Sequence, residues 1–112
     1  MSADLRERTM GFSLRIIHLY TALPRTEVAR VLGKQVLRSG TSVGANYAEA
    51  ERARSRLEFK AKLGVALQEL NETRYWIELL VAADIVPHKK VELLLDETNQ
   101  LIAIFVSSIK NS

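Results

Sequence analysis

Residues 37–56 read LRSGTSVGANYAEAERARSR, and three kinds of chemistry could reside in that stretch. Gly40 and Gly44 stand four apart, as glycines can when backbone amides cradle a phosphate. Asn46 and Glu49 stand three apart, a polar pair on one side of a helix. Arg52, Arg54 and Arg56 alternate, and guanidinium groups suit phosphate in both charge and donor geometry. The glycines fail the phosphate-loop test. That loop requires glycine, four residues, then Gly-Lys-Ser/Thr after a strand, whereas Ala45 and Asn46 follow Gly44 and no strand pattern precedes. A dinucleotide-binding fingerprint fails on the same grounds. On a helix, the spacing instead places both glycines on one face, a turn apart. With Ser39, Val43 and Ala48 nearby, that face admits a second helix at close range. An interior glycine costs about 1 kcal/mol against alanine, so close packing or a local bend is expected to compensate.

Metal and nucleophile chemistry find little support. A carboxylate-bridged metal site in a helical bundle needs Glu-x-x-His pairs, but Arg15 precedes His18 by three and Ile85 precedes His88 by three. These are the only histidines, and cysteine is absent, which excludes disulfides and thiolate ligands and fits a reducing compartment. No serine sits in a nucleophile elbow. The sequence therefore points away from an enzyme, with no cofactor and no metal expected.

Two readings of Asn46 and Glu49 stand. They are structural fixtures satisfied by a neighbouring helix, setting register, or a polar site inside an oligomer channel. Glu49 could also pair with Arg52 one turn on. The cations have two readings as well. Residues 25–62 hold nine basic and four acidic residues, a balance of +5, whereas 63–112 hold four and seven, a balance of −3. Such asymmetry marks a face that attracts polyanions, or else the solvated surface of long helices in a structural or protein-interaction module with no nucleic-acid partner. If nucleic acid binds, the candidates are Lys34, Arg38, Arg52, Arg54, Arg56, Lys60 and Lys62. Tyr47, Tyr75 and Trp76 do not alternate with these cations, so backbone contacts with weak sequence preference are expected, not base stacking.

The elements that must carry these residues are helices. The chain has 112 residues, 47% hydrophobic and 26% charged, the composition of one globular domain. Apolar residues recur at helical spacing and no credible strand alternation occurs. Helices are expected over 5–22, 25–53, 55–84 and 88–110. Pro24 marks the turn before the second, and Ser55 with Glu58 forms a capping box for the third. Short connections predict an all-α, antiparallel up-down four-helix bundle. In the first helix Met10, Leu14 and Ile17 widen the core stripe, and in the fourth Leu93, Leu101 and Ile104 form a second apolar row. Faces this wide predict a homo-oligomer. No apolar run reaches the roughly 20 residues of a membrane span, and the charged N-terminus does not read as a signal peptide, so a soluble cytoplasmic protein is expected.

The segment LGKQVLRSGTSVGANYAEAERARSRLEFKAKLGVALQELNETRYWIELL resembles the bacterial four-helix family of 23S ribosomal RNA intervening-sequence proteins, which includes the accessory variability (Avd) proteins of diversity-generating retroelements. The resemblance spans roughly residues 12–86. It is most specific at Gln35, Arg38, Ser42, Asn46 and Glu49, then Arg54 and the Glu58-Phe59 pair, with Glu72 at the family's glutamate position. Ala50 stands where many members have glycine, and the usual Gly-Ser of the third helix is missing. The resemblance implies a ring-like homopentamer without enzymatic activity. For the retroelement members it further implies a basic barrel that binds nucleic acid and a reverse transcriptase.

Overall fold

In the computed structural model, which describes residues 2–112 with side chains from Asp4 onward, the chain forms four helices and no strand among the described residues. They are α1 (Ser2–Ala22), α2 (Glu27–Glu51), α3 (Arg56–Ala82) and α4 (His88–Lys110). The bundle measures 45 × 21 × 19 Å, so its long axis is close to the length of its longest helix.

Each helix end has a local cause. Pro24 lies in the turn before α2, as expected, and Thr26 is the N-cap, its hydroxyl accepting from the Ala29 amide at 3.2 Å. Ser55 caps α3, accepting from the Glu58 amide at 3.0 Å. Glu58 reaches back one residue beyond the cap, its Oε1 accepting from the Arg54 amide at 3.1 Å. Replacing Ser55 by alanine removes the acceptor and is expected to cost about 1 kcal/mol, readable as a lower melting temperature at fixed protein concentration. At the other end, α3 stops at Ala82 and not at Asp84. Asp84 takes a left-handed conformation (φ 59°), and the Ile85 amide bonds the Leu80 carbonyl while the Asp84 amide bonds that of Val81, both at 3.0 Å. This 6→1 and 5→2 pair is a Schellman ending, with aspartate where glycine is usual.

The core is built from Phe12 and Ile16 of α1, Val36, Val43 and Tyr47 of α2, Leu63, Leu70, Ile77 and Leu80 of α3, and Val91, Leu101 and Phe105 of α4. Tyr47 and Phe105 stack with ring centroids 5.9 Å apart. Leu101, expected in a second apolar row, is fully buried core, whereas Leu93 is 72% exposed. Met10, Leu14 and Ile17 do not widen the core stripe. They are 63%, 51% and 39% exposed, forming an apolar row on the outer side of α1.

Helix α2 lies between α1 and α3. The start of α1 meets the end of α2 through Arg6 and Glu51, and Leu23, just beyond α1, meets Gly33 near the start of α2. Helix α3 packs on α4, where Arg74 donates to Asn99 at 2.9 Å, while α1 and α4 approach less closely and are bridged by Arg8 and Glu97 at 2.7 Å. The α2–α3 contact holds one buried polar link. Thr73 Oγ1 lies 2.8 Å from Ser39 Oγ, and each hydroxyl also reaches a carbonyl of its own helix, at 2.7 and 2.9 Å. With no buried polar side-chain atom left unpaired among the described residues, this link fixes register without a desolvation penalty.

Candidate nucleic-acid interface

The corner between α2 and α3 gathers Arg52, Arg54, Arg56, Lys60 and Lys62 within eleven residues. Arg52 ends α2 as its C-cap, Arg54 lies in the turn, and Arg56 begins α3. All three are exposed. Their nearby carboxylates are already engaged. Glu51 receives Arg6 Nε and Nη2, both at 3.0 Å. Glu58 accepts the Arg54 amide, and Glu49 pairs with Lys62 Nζ at 2.7 Å. Among the described residues, the side chains of Arg52, Arg54, Arg56 and Lys60 therefore have no carboxylate within 4 Å. Arg56 stands at the first position of α3, where the helix dipole repels a cation, so fold stability does not explain its charge.

The other candidates lie elsewhere. Lys34 is exposed on α2, nearer the opposite end of the bundle. Arg38 is the hub of a network on the α2–α3 face. It donates to Gln35 Oε1 at 3.1 Å and to Glu72, and its Nη1 lies 3.5 Å from Glu69 Oε1, while Trp76 Nε1 donates to Glu72 Oε2 at 2.9 Å. Its guanidinium is thus turned toward its own protein, and Glu69 and Trp76 are participants that sequence reasoning did not assign. The signal was their spacing: Glu69, Glu72 and Trp76 follow one another at three and four residues on the side of α3 that faces α2.

Lys62 and Glu49 form a second link between α2 and α3. The hydrogen bond from Lys62, then its charge, holds the Glu49 carboxyl below its ordinary value, and Glu49 in turn raises the Lys62 ammonium. A lowered carboxyl contributes to stability above its unfolded value and loses that contribution as pH falls through the folded one. The raised ammonium loses its contribution only as pH climbs through a value above its ordinary range. The link is accordingly expected to persist from about pH 5 to about pH 10 and to open in acid. A carboxyl-carbon NMR titration should place the Glu49 midpoint below that of the solvent-exposed glutamates. A midpoint at or above theirs would contradict the link.

Asn46 bonds within its own helix, Nδ2 donating to the Ser42 carbonyl at 2.8 Å, and not to a neighbouring helix as the first of its two readings has it. Glu49 is exposed and engages Lys62, not Arg52. Gly40 and Gly44 face α1. A Cβ on Gly40 would lie 2.7 to 2.9 Å from three atoms of Ile16, and one on Gly44 would lie 3.4 Å from Ser13 Oγ and from the Thr9 carbonyl oxygen. Gly33 belongs to the same face, with Leu23 2.6 Å from its would-be Cβ.

A stacking platform is not on offer at the corner. Tyr47 is 4% exposed against Phe105, and burial, the largest influence, pushes its phenol up. Tyr75 is exposed on α3 beside Trp76, whose indole N–H is engaged by Glu72. Among the described residues no group of three or more His, Asp or Glu side chains could hold a metal ion, and no helix is long and apolar enough to cross a membrane.

Four long helices, a glycine-lined α1–α2 contact and a basic α2–α3 corner define a small all-α bundle protein. The family model for 23S rRNA-intervening sequence protein matches residues 2–107, and the chain belongs to that family. It is similar to a solved protein of unknown function from the S23 ribosomal protein family of Bacteroides thetaiotaomicron. The two are 40% identical, with a TM-score of 0.88 over 94% of this chain and 97% of the other. Among curated proteins none matches.

Proposed function

We propose that this protein is a non-enzymatic, cytoplasmic, oligomeric scaffold that binds the phosphate backbone of nucleic acid through its α2–α3 corner. The observation that carries this reading is the set of four cations, Arg52, Arg54, Arg56 and Lys60, left without carboxylate partners while every acid around them is engaged. Unpaired guanidinium groups on a rigid corner release counterions from a polyanion at little conformational cost. The reading narrows the binding set to the corner. Arg38 and Lys62 act as cross-braces, and Lys34 adds charge at a distance.

The helices run antiparallel in up-down order, which the pairing of Arg6 with Glu51 and of Leu23 with Gly33 supports. The scaffold assembles as a ring-like homopentamer. The exposed row of Met10, Leu14 and Ile17 supports self-association, since three large apolar side chains in one row on a helix usually meet another chain. Five chains of 12.6 kDa give about 63 kDa by light scattering, and a particle of one chain's mass would refute assembly. A reverse transcriptase is the protein partner this reading proposes, through the resemblance to retroelement accessory proteins, and co-purification from cells expressing both tests it.

Binding itself is tested by fluorescence anisotropy with matched RNA and DNA strands at low salt. A concentration-dependent rise that salt abolishes is expected for at least one of them. No rise with either at about 50 mM salt, where polyanion binding is strong, overturns the proposal.

A further inference from the structure

A cavity of about 560 Å³ opens on the seam between the end of α1 and the start of α4, away from the basic corner. The α1–α4 contact is looser than that of α1 with α2 or of α3 with α4. Its charged or titratable lining consists of Arg15 and His18 from α1 with Lys89 and Lys90 from α4, and no acidic side chain lines it. None of the four has a carboxylate within 4 Å among the described residues. The rest of the wall is apolar. Leu94, 6% exposed, and Val91, 1% exposed, form a floor continuous with the core, and Leu19, Leu23 and Ile85 flank it. Leu93, at 72% exposure, stands at the solvent edge with nothing covering it.

A cationic rim over an apolar floor selects a particular chemistry. An inorganic anion would satisfy the rim and leave the floor wet. A neutral apolar molecule would cover the floor and leave the cations unused. We propose that this cavity binds a small amphipathic anion, one phosphate or carboxylate head joined to an aliphatic body. The head meets Arg15, Lys89 and Lys90, and the body lies over Leu94 and against Leu93. The volume falls within the roughly 300–1,000 Å³ of small-molecule pockets. Both halves contribute, because burying the chain against Leu93 and the half-buried Leu19 and Leu23 removes apolar area from water while the head is paired with charge. The ligand is a dispersed molecule and not a bilayer, since the apolar wall lies in a cleft between cations of both helices, Arg15 on α1 and Lys89 and Lys90 on α4, and Leu93 is its most exposed large apolar side chain.

The test is calorimetric titration of the full chain with three probes kept below their aggregation limits: decyl phosphate, inorganic phosphate and decanol. Decyl phosphate is expected to bind at least tenfold more tightly than either fragment. The double variant K89E/K90E, altered only at exposed positions, should lose at least tenfold of that affinity with its helical circular dichroism unchanged. Leu93→Gln should lose severalfold. Inorganic phosphate binding as tightly as decyl phosphate would overturn the proposal by showing an ion site only. Decyl phosphate binding unaffected by K89E/K90E would overturn it by placing the ligand elsewhere. Co-sedimentation with phosphatidylglycerol vesicles in the absence of decyl phosphate binding would overturn it in favour of a membrane surface.

Discussion

Gly40→Leu is expected to lower stability by at least about 3 kcal/mol, because the first added carbon already has no room. That Cβ would stand 2.7 to 2.9 Å from Cγ1, Cγ2 and Cδ1 of Ile16, a side chain with no exposure. Ile16 is branched and packed in the centre of the core, so it cannot swing aside as the tip of a long side chain would. Overpacking by even a few methylenes costs about 1–3 kcal/mol, and leucine adds three carbons beyond the Cβ. For a chain of this size the melting temperature should fall by roughly 10–20 °C, read by circular dichroism at fixed protein concentration. Gly64→Ala carries the opposite expectation. Nothing lies within 4 Å of its Cβ position, so helix propensity acts alone and stability should rise by about 0.5–1 kcal/mol. Gly33→Ala falls between, since its Cβ would meet the terminal Cδ1 of Leu23 at 2.6 Å and the Tyr20 ring at 3.1 and 3.3 Å, both half-buried side chains that can give way. Wild-type melting of Gly40→Leu would mean that α1 and α2 are not held at the separation described.

The triple variant R52E/R54E/R56E is expected to lose at least about 100-fold in nucleic-acid affinity near 100 mM salt. Each lost phosphate contact should reduce the slope of log K against log salt by about 0.7–0.9. All three side chains are exposed and without carboxylate partners, so replacing them breaks no internal bond. Glutamate at position 56 even suits the start of α3, where negative charge is favoured by about 0.3–1 kcal/mol. Glutamate at position 52, the C-cap of α2, is disfavoured by a similar amount, so the variant should melt close to the wild-type temperature, which separates lost binding from lost folding. Arg38→Ala should behave in the reverse manner. It leaves Glu69 and Glu72 without their cation on the α2–α3 face, Glu72 keeping only the Trp76 indole, and should lower stability more than binding.

The sequence announced the helices well because their signals are local. Ser55 and Glu58 lie three residues apart, and a hydroxyl at that spacing meets one amide whatever the rest of the chain does. Leu101 and Met10 were less legible. Whether an apolar residue faces the core or the outside depends on where neighbouring helices sit, and a wide apolar face leaves that angle open. The ending of α3 was hidden for a different reason. Aspartate is an uncommon left-handed residue, so Asp84 carried no glycine-like flag. The five glycines look alike in sequence, yet Gly40 is wedged against Ile16 while Gly11 and Gly64 face open space. At the candidate site, the cluster of cations was visible but their employment was not. Arg38 and Lys62 meet acids 31 to 34 and 13 residues away, pairings that exist only once α3 lies against α2.

The most direct test of the account is a salt titration of nucleic-acid affinity for the wild type and R52E/R54E/R56E side by side, followed by anisotropy. The wild type should show a steep negative slope and the variant a slope smaller in magnitude by about 2–3, with both proteins equally helical. Superimposable lines for the two proteins would contradict it, since the corner would then contribute no contact to the phosphates.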